Sequence, residues 1–447
     1  IDMSKPELRI VELFSGIGAQ KRGIDNTGLF ACTTVATSEI DKEATVSYAA
    51  IHCGFTLQRI EALEFPPTEE MAQLLKDRNI GYDSKKKEQY NWDKLVNSKT
   101  GNERIKKYYA AMILQNNLGD IEKIESLPDC DLLTYSAPCQ DFSIQGKQRG
   151  AIRGETRSGL LYEVERLLVE KHESNEEMPK FLMMENVKNL VGKKFMPTFQ
   201  DWMRRLYDLG YDTYWAILNG KQCGVPQNRE RTFAISIRKD IDTQTFEFPI
   251  PFDNHIRLKD IVDKTVDPSY LLSEQAMGKY KDYFSNSNNR SDIRQVGQIY
   301  GSPKEPNPQA GRVYDEEYIS PALDTCSGGN KMPKILTTPD FSYCLDANYW
   351  KGTNVNAYIR DRRRQLVFTD KWVRKLTETE CFRLMGFEDE DVDKAKAVGV
   401  SKSQLYKQAG NSIITNCISL IMEHLYKAQY DENYECFDEK FFISNKK

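Results

Sequence analysis

Hydrophobic and polar positions along the first forty residues change period twice. Leu8-Arg9-Ile10-Val11-Glu12-Leu13-Phe14 reads as a short strand. It runs into a glycine turn, Ser15-Gly16-Ile17-Gly18, and then into helix-like sequence. That order opens a βαβ unit. Further strand-like runs follow at 33–38, ending in Glu39, at 131–136, ahead of Pro138-Cys139, and at 181–184, ahead of Glu185-Asn186. Another element is expected to end at Gly119-Asp120-Ile121, and strands are expected at 213–218 and 232–237. Strands alternating with helical stretches predict a mostly parallel sheet covered on both faces, with chemistry at the carboxyl ends of the strands.

Between 66 and 118 the sequence turns polar and Lys-rich, as in Lys85-Lys86-Lys87-Glu88, and reads as a solvated helical insertion. From 249 to 368 the periodicity weakens and Asn, Pro, Gly and Ser become frequent, which marks a second, smaller and irregular domain. The expected division is therefore a catalytic unit at 1–248, the irregular unit at 249–368, and a segment at 369–447 that returns to the first. In that last segment Thr377-Glu378-Thr379-Glu380 has the form of a capping box, with Gly386 placed to end its helix. A final helix is expected after Gly410-Asn411-Ser412, with Ile413, Ile414, Cys417, Ile418, Ile421 and Leu425 at helical spacing.

A chain of 447 residues is too long for one ordinary core, which agrees with two domains. It contains no apolar run long enough to span a membrane, no secretory leader is expected, and Met3 is expected to be the natural start, after Ile1-Asp2. The ten cysteines form no CxxC pair, and the four histidines have no metal-ligand spacing to them, so no metal site is expected. Sparse cysteines also argue for a reducing cytoplasm rather than a disulfide framework. With a net charge of −4, any surface for a polyanion must be local.

Gly16 and Gly18 let the backbone approach a ligand, and Glu39 follows at about the 20-residue distance from which an acid takes ribose hydroxyls. An adenosine-type cofactor fits. Lys21 stands where a dinucleotide fingerprint would have its third glycine, which weakens the case for a pyrophosphate cofactor. Cys139 follows a strand and precedes a polar, basic loop, a setting for a nucleophilic thiol as much as for one more inert cysteine. Glu185 at the end of the next strand, with Arg229 and Arg231 just before another, makes a reaction site the better reading.

Taken together, these segments resemble the DNA cytosine-5 methyltransferases. Phe14-Ser15-Gly16-Ile17-Gly18 is similar to that family's cofactor loop, Pro138-Cys139-Gln140 to its nucleophile motif and Glu185-Asn186-Val187 to its acid motif. Gln227-Asn228-Arg229-Glu230-Arg231 is similar to its arginine motif, while 374–387 and Gln408-Ala409-Gly410-Asn411-Ser412 resemble its last two. The resemblance implies an α/β, Rossmann-like S-adenosylmethionine-dependent methyltransferase domain with a smaller, irregular target-recognition domain. It implies S-adenosylmethionine as donor, S-adenosylhomocysteine as product, and catalysis by Cys139, Glu185, Arg229 and Arg231.

By the same resemblance the cofactor would be held by Phe14, Gly16, Ile17, Gly18, Glu39, Ile40, Asp120, Ile121, Pro138, Leu160, Asn411 and Ser412, although Ile40 replaces a more usual aromatic ring. The loop 140–157 would act as a lid over a flipped cytosine, with Gln140, Ser143, Gln145, Lys147, Arg149 and Arg157 at the DNA and Gln145 filling the vacated stack. The region 249–368 would read sequence, with Arg362, Arg363 and Arg364 on phosphates. Double-stranded DNA is the implied partner, with a cognate restriction endonuclease in a restriction-modification setting, for a monomer in the bacterial cytoplasm. Two other readings are a tRNA cytosine-5 methyltransferase and a catalytically silent DNA-binding relative. A recognition region this large speaks against the first, and intact Cys139, Glu185 and Arg231 against the second.

Overall fold

A computed structural model of the chain describes residues 5–83, 86–137, 157–271, 295–298, 312–315, 334–336, 341–351, 365–368 and 373–436. Its centre is a six-stranded sheet of β1 (Glu7–Leu13), β2 (Ala31–Ser38), β3 (Leu132–Tyr135), β4 (Phe181–Val187), β5 (Tyr211–Asn219) and β6 (Glu230–Arg238), in the spatial order β2-β1-β3-β4-β6-β5. The first four strands are mutually parallel, while β6 runs antiparallel to both β4 and β5. β1 and β3 are buried on both faces, as central strands of a parallel sheet must be once helices cover them.

The first face is covered by α1 (Ala19–Thr27), α2 (Lys42–His52), α6 (Gly101–Leu114) and the last helix, Thr415–Tyr430; the second by α7 (Leu161–Glu173) and α8 (Met196–Asp208). The last helix belongs beside α1, where Gly23 lets the two backbones approach. A Cβ on Gly23 would lie 2.5 Å from Cβ of Ile418. Ser419 Oγ donates to the Gly23 carbonyl at 2.8 Å, closing the same contact. The last helix of the segment 373–436 thus packs on the first βαβ unit. The Thr377 box forms, with Glu380 N donating to Thr377 Oγ1 at 3.1 Å and Thr377 N to Glu380 Oε2 at 2.8 Å, and Gly386 takes a φ of 81° beyond that helix's end.

Three sequence expectations change. No strand ends at Gly119. Instead Asn117 makes a single bridge to Thr37, and its side chain accepts from Glu39 N at 3.0 Å and donates to Glu39 O at 2.9 Å, so an amide does the joining that a strand would. The insertion is helical but not solvated. Beyond the short α3 (Leu57–Glu61), α4 (Thr68–Asp77), α5 (Trp92–Val96) and α6 bury Met71, Leu75, Trp92, Ile105 and Tyr108 in the cluster under the first face, with Lys94 exposed and Lys76, Lys106 and Lys107 half-buried. The final helix begins at Thr415, and a separate helix, Lys402–Asn411, precedes it and carries Gly410-Asn411 in its last turn.

Within 249–368 the described residues include the strands Gln295–Gln298, Arg312–Asp315 and Lys334–Leu336, which form a sheet of their own, separate from the central one.

Because Trp92 is fully buried among these helices, the insertion should be part of the cooperative fold. Replacing Trp92 by Ala is expected to cost about 3–5 kcal/mol in chemical denaturation. An insertion that packed on nothing would leave the midpoint within about 0.5 kcal/mol of wild type.

Candidate active site

The turn between β1 and α1 is built from backbone that most side chains avoid. Phe14, Gly16 and Gly18 have φ of 59°, 55° and 79°, and Gly18 N closes the turn on Ser15 O at 2.9 Å. Glycine is required at 18, where a Cβ would stand 2.4 Å from Nε2 of His52. That ring nitrogen lies 3.0 Å from the Ile17 carbonyl, and burial pushes the His52 pKa down to about 3, so the ring is neutral and donates to Ile17. A Cβ on Gly16 would meet nothing within 4 Å, because Gly16 faces an open cleft.

The cleft holds about 150 Å³ and lies between this turn, the end of β2 and the loop at 411–413. Glu39 closes one side, its carboxylate accepting from Gly16 N at 2.9 Å and Asp41 N at 2.7 Å. Burial, reinforced by Asp41, raises the Glu39 pKa to about 7. Asp41 itself caps α2 through Glu43 N and Ala44 N and pairs with Lys407 of the helix Lys402–Asn411, joining the two walls. Two buried polar atoms lining the cleft, Ser15 Oγ and Gln408 Nε2, have no partner among the described residues. An unsatisfied buried polar atom costs about 1–3 kcal/mol, so both fit the polar tail of a bound amino-acid-bearing nucleoside.

Of the residues expected at the cofactor, Phe14, Gly16, Ile17, Glu39, Asn411 and Ser412 line this cleft. Gly18 lies behind its turn. Ile40 accepts from Gly81 N at 2.6 Å through its carbonyl. Asp120 caps the short turn Ile121–Lys123 and accepts from Asn79 Nδ2 at 2.8 Å, away from the lining. Ile121 and Leu160 belong to the same apolar cluster as Phe14. Sequence reasoning passed over Gln20, Asp41, Ser136, Lys407 and Gln408, all of which line the cleft. Gln408 opens a motif already noted and Asp41 sits two residues after Glu39, but nothing in the sequence pairs Asp41 with Lys407 or Gln20 with Ser136, to which its amide donates at 3.1 Å.

A second group of residues gathers at the end of β4. Because β6 is antiparallel, its first residues meet the last of β4, with Val187 opposite Arg231 and Glu185 opposite Phe233. Glu185 and Arg231 thereby come together, Nε to Oε1, at 3.2 Å. Burial raises the Glu185 pKa, and Arg231 and then Arg229 oppose the shift. Asn186 donates from Nδ2 to the Ala137 carbonyl at 3.2 Å, fixing the chain just before Pro138.

Arg229 points elsewhere. It is buried, and its terminal nitrogens donate to the carbonyls of Leu345 (3.1 Å), Gly410 (3.2 Å) and Ser412 (2.8 Å). Gln227 does similar work, donating to Leu384 O at 2.8 Å and accepting from Leu345 N at 3.2 Å. Pro138, Cys139, Gln140, Ser143, Gln145, Lys147, Arg149, Arg362, Arg363 and Arg364 lie outside the described residues, and Arg157 opens the turn Arg157–Leu160. Among the described residues no cluster of His, Cys, Asp and Glu could hold a metal ion.

Residues 8–69 and 84–427 match the model of a family described as C-5 cytosine-specific DNA methylase. The type II methyltransferase M2.ScrFI of Lactococcus lactis subsp. cremoris is 35% identical, over 94% of this chain and 100% of its own length. The orphan methyltransferase M.SssI of Spiroplasma monobiae is 29% identical, over 95% of this chain and 99% of its own. Among solved structures, the Dnmt2 methyltransferase of S. pombe superposes with a TM-score of 0.51 at 16% identity, covering 94% of this chain and 98% of that one. The methyltransferase EhMeth of Entamoeba histolytica gives 0.53 at 14%, covering 95% and 99%. At such identities the structures attest the fold alone.

The Glu39 geometry generates a pH dependence. A carboxylate accepts ribose hydroxyls better than a carboxylic acid does, so a nucleoside ligand selects the ionised form. Affinity should be full above the free-protein pKa of about 7 and fall below it. From pH 8 to pH 6, calorimetry with S-adenosylhomocysteine should show about a tenfold loss. Glu39→Gln should bind about 1.5–3 kcal/mol more weakly at pH 8, with a flat profile. A wild-type affinity independent of pH would remove Glu39 from the ribose.

Proposed function

The chain belongs to the C-5 cytosine-specific DNA methylase family and is a cytosine-5 DNA methyltransferase; from that premise we propose which of its residues do what. The observation that carries the assignment of roles is the half-buried Glu185–Arg231 pair at the end of β4, beside the strand that leads to Cys139. C5 of cytosine is a poor nucleophile, and a thiolate added at C6 makes it an enamine-like one. Cys139 forms that bond through Sγ. Glu185, whose pKa burial raises, gives its proton towards N3 as charge develops there, while Arg231 faces O2. After transfer the C5 proton leaves to a base, the Sγ–C6 bond breaks, and aromaticity returns.

S-adenosylmethionine supplies an electrophilic methyl group on a sulfonium. Glu39 would hold its ribose, Phe14, Ile40, Ile121 and Leu160 its adenine faces and edge, Asp120 the adenine amino group, and Ser15 with Gln408 its amino-acid tail. Arg229, with its terminal nitrogens committed to carbonyls, joins the base site to the 410–412 wall of this cleft and acts on position rather than on substrate.

Double-stranded DNA is the substrate. The target base must leave the stack to reach Cys139, at a cost of a few kcal/mol. Residues 140–157 are proposed as the lid, with Gln145 in the vacated space and Gln140, Ser143, Lys147, Arg149 and Arg157 on the strand. Sequence is read by 249–368, and Arg362, Arg363 and Arg364 sit on phosphates. A cognate restriction endonuclease goes with the type II reading and a solitary enzyme with the orphan one. The chain is proposed to work as a monomer in the bacterial cytoplasm; among the described residues no helix is long and apolar enough to cross a membrane.

DNA carrying 5-fluorocytosine should trap the enzyme, since fluorine cannot leave C5 as a proton does. Peptide mapping should find the adduct on Cys139, dependent on S-adenosylmethionine, and Cys139→Ser should form none and transfer no methyl group. An adduct on another cysteine would overturn the assignment. Glu185→Gln, which donates a hydrogen bond but no proton, should lower kcat by about a hundredfold and leave the KM for DNA within a few fold. A loss confined to DNA binding would contradict the role given to Glu185.

A further inference from the structure

Helix α1 stops one bond short of the turn that faces the cleft. Arg22 N donates to Gly18 O at 2.9 Å, the first bond of the helix. One bond further out, Lys21 N and Ile17 O would pair in the same pattern and carry the helix into the turn. Each takes a side chain instead. Lys21 N donates to Glu12 Oε1 at 3.2 Å, and Ile17 O lies 3.0 Å from His52 Nε2. A carbonyl only accepts, so Nε2 carries the proton and donates. Two side chains thus satisfy the two halves of the bond that would lengthen α1.

Both halves are braced from α2. Tyr48 and His52 stand one turn apart on that helix, with ring centroids 4.8 Å apart. Tyr48 is fully buried, donates from its hydroxyl to Glu12 Oε2 and lies 3.0 Å from Thr34 Oγ1 of β2. The same two rings account for Gly18, where a Cβ would lie 2.4 Å from His52 Nε2 and 2.7 Å from Tyr48 Cε2. The cleft is on the other side of this turn, lined by Ile17 and by Gly16, whose N–H donates to Glu39. His52 therefore grips the back of a surface whose front faces the ligand.

We propose, on the reading that this cleft takes S-adenosylmethionine, that His52 is a positioning residue for the cofactor: by holding the Ile17 carbonyl it keeps Gly16 and Gly18 in their left-handed conformations and the cleft open. Without that donor, Ile17 O gains a partner by closing on Lys21 N, and the turn winds into α1. The open turn becomes a minor conformer that the ligand must select. Apparent affinity then falls in proportion to the open fraction, while the complex, once formed, is the same. His52 touches no substrate and acts through the turn alone.

The test uses the full-length chain at pH 8, with S-adenosylhomocysteine in calorimetry, and with tritiated S-adenosylmethionine and unmethylated genomic DNA in kinetics. His52→Leu keeps bulk and removes the donor; it should bind S-adenosylhomocysteine about tenfold more weakly and raise the KM for S-adenosylmethionine by the same factor. Its kcat at saturating S-adenosylmethionine and its KM for DNA should stay within about twofold of wild type. His52→Gln places an amide nitrogen as far from the backbone as Nε2 and should bring affinity back to within about threefold. Thermal melting identifies a variant that fails to fold, and His52→Met, also without a donor, carries the comparison if leucine does. Leu and Met variants that bind like wild type, a Gln variant that binds no better than they do, or a loss that falls on kcat instead of KM each overturn the proposal. A wild-type chain that binds no S-adenosylhomocysteine overturns the cofactor reading itself, and the proposal with it.

Discussion

Strand β6 runs against its neighbours, and from that reversal the arrangement of the reactive groups follows. In a wholly parallel sheet, the residues before a strand lie at the opposite edge from those that end its neighbour. Here the beginning of β6 meets the end of β4, so an arginine motif ahead of one strand and an acid motif closing another become partners, Arg231 against Glu185 at 3.2 Å. Burial raises the acid's pKa while the guanidinium opposes it.

The same motif also reaches across the molecule. Arg229 and Gln227 spend their hydrogen bonds on backbone groups at 345, 384, 410 and 412, far away in sequence. Those bonds seat the C-terminal segment, whose last helix packs on α1 at Gly23 and whose preceding helix supplies Lys407 to Asp41. One wall of the cleft therefore comes from residues 14–44 and the other from 407–413, and Arg229 connects the second to the strand that carries Arg231. The geometry around Glu185 and Arg231 is in this way tied to the segments at 345 and 410–412.

Much of this is legible in the sequence because it is local. Short apolar runs closed by Gly16, Glu39 or Glu185 identify strand ends, and those ends carry the chemistry. What escaped is what depends on partners distant along the chain. Lysines at 85–87 made the insertion look solvated, while Trp92 and Ile105, spaced among polar residues, were the ones that mattered for packing. Asn117 replaced an expected strand by one side chain that bonds both backbone groups of Glu39. Arg229 and Arg231 look alike in a motif two residues apart, yet one faces carbonyls and the other a carboxylate, a distinction set only by where 345 and 410–412 come to rest.

The claim on which the rest stands is that this chain methylates C5 of cytosines in a short duplex sequence. Bisulfite sequencing of host DNA after expression of the chain reads both the modification and its context in one measurement. The account predicts cytosines protected from conversion at every copy of one short sequence and converted elsewhere. Complete conversion of the whole genome, in cells that contain the folded protein, would contradict it.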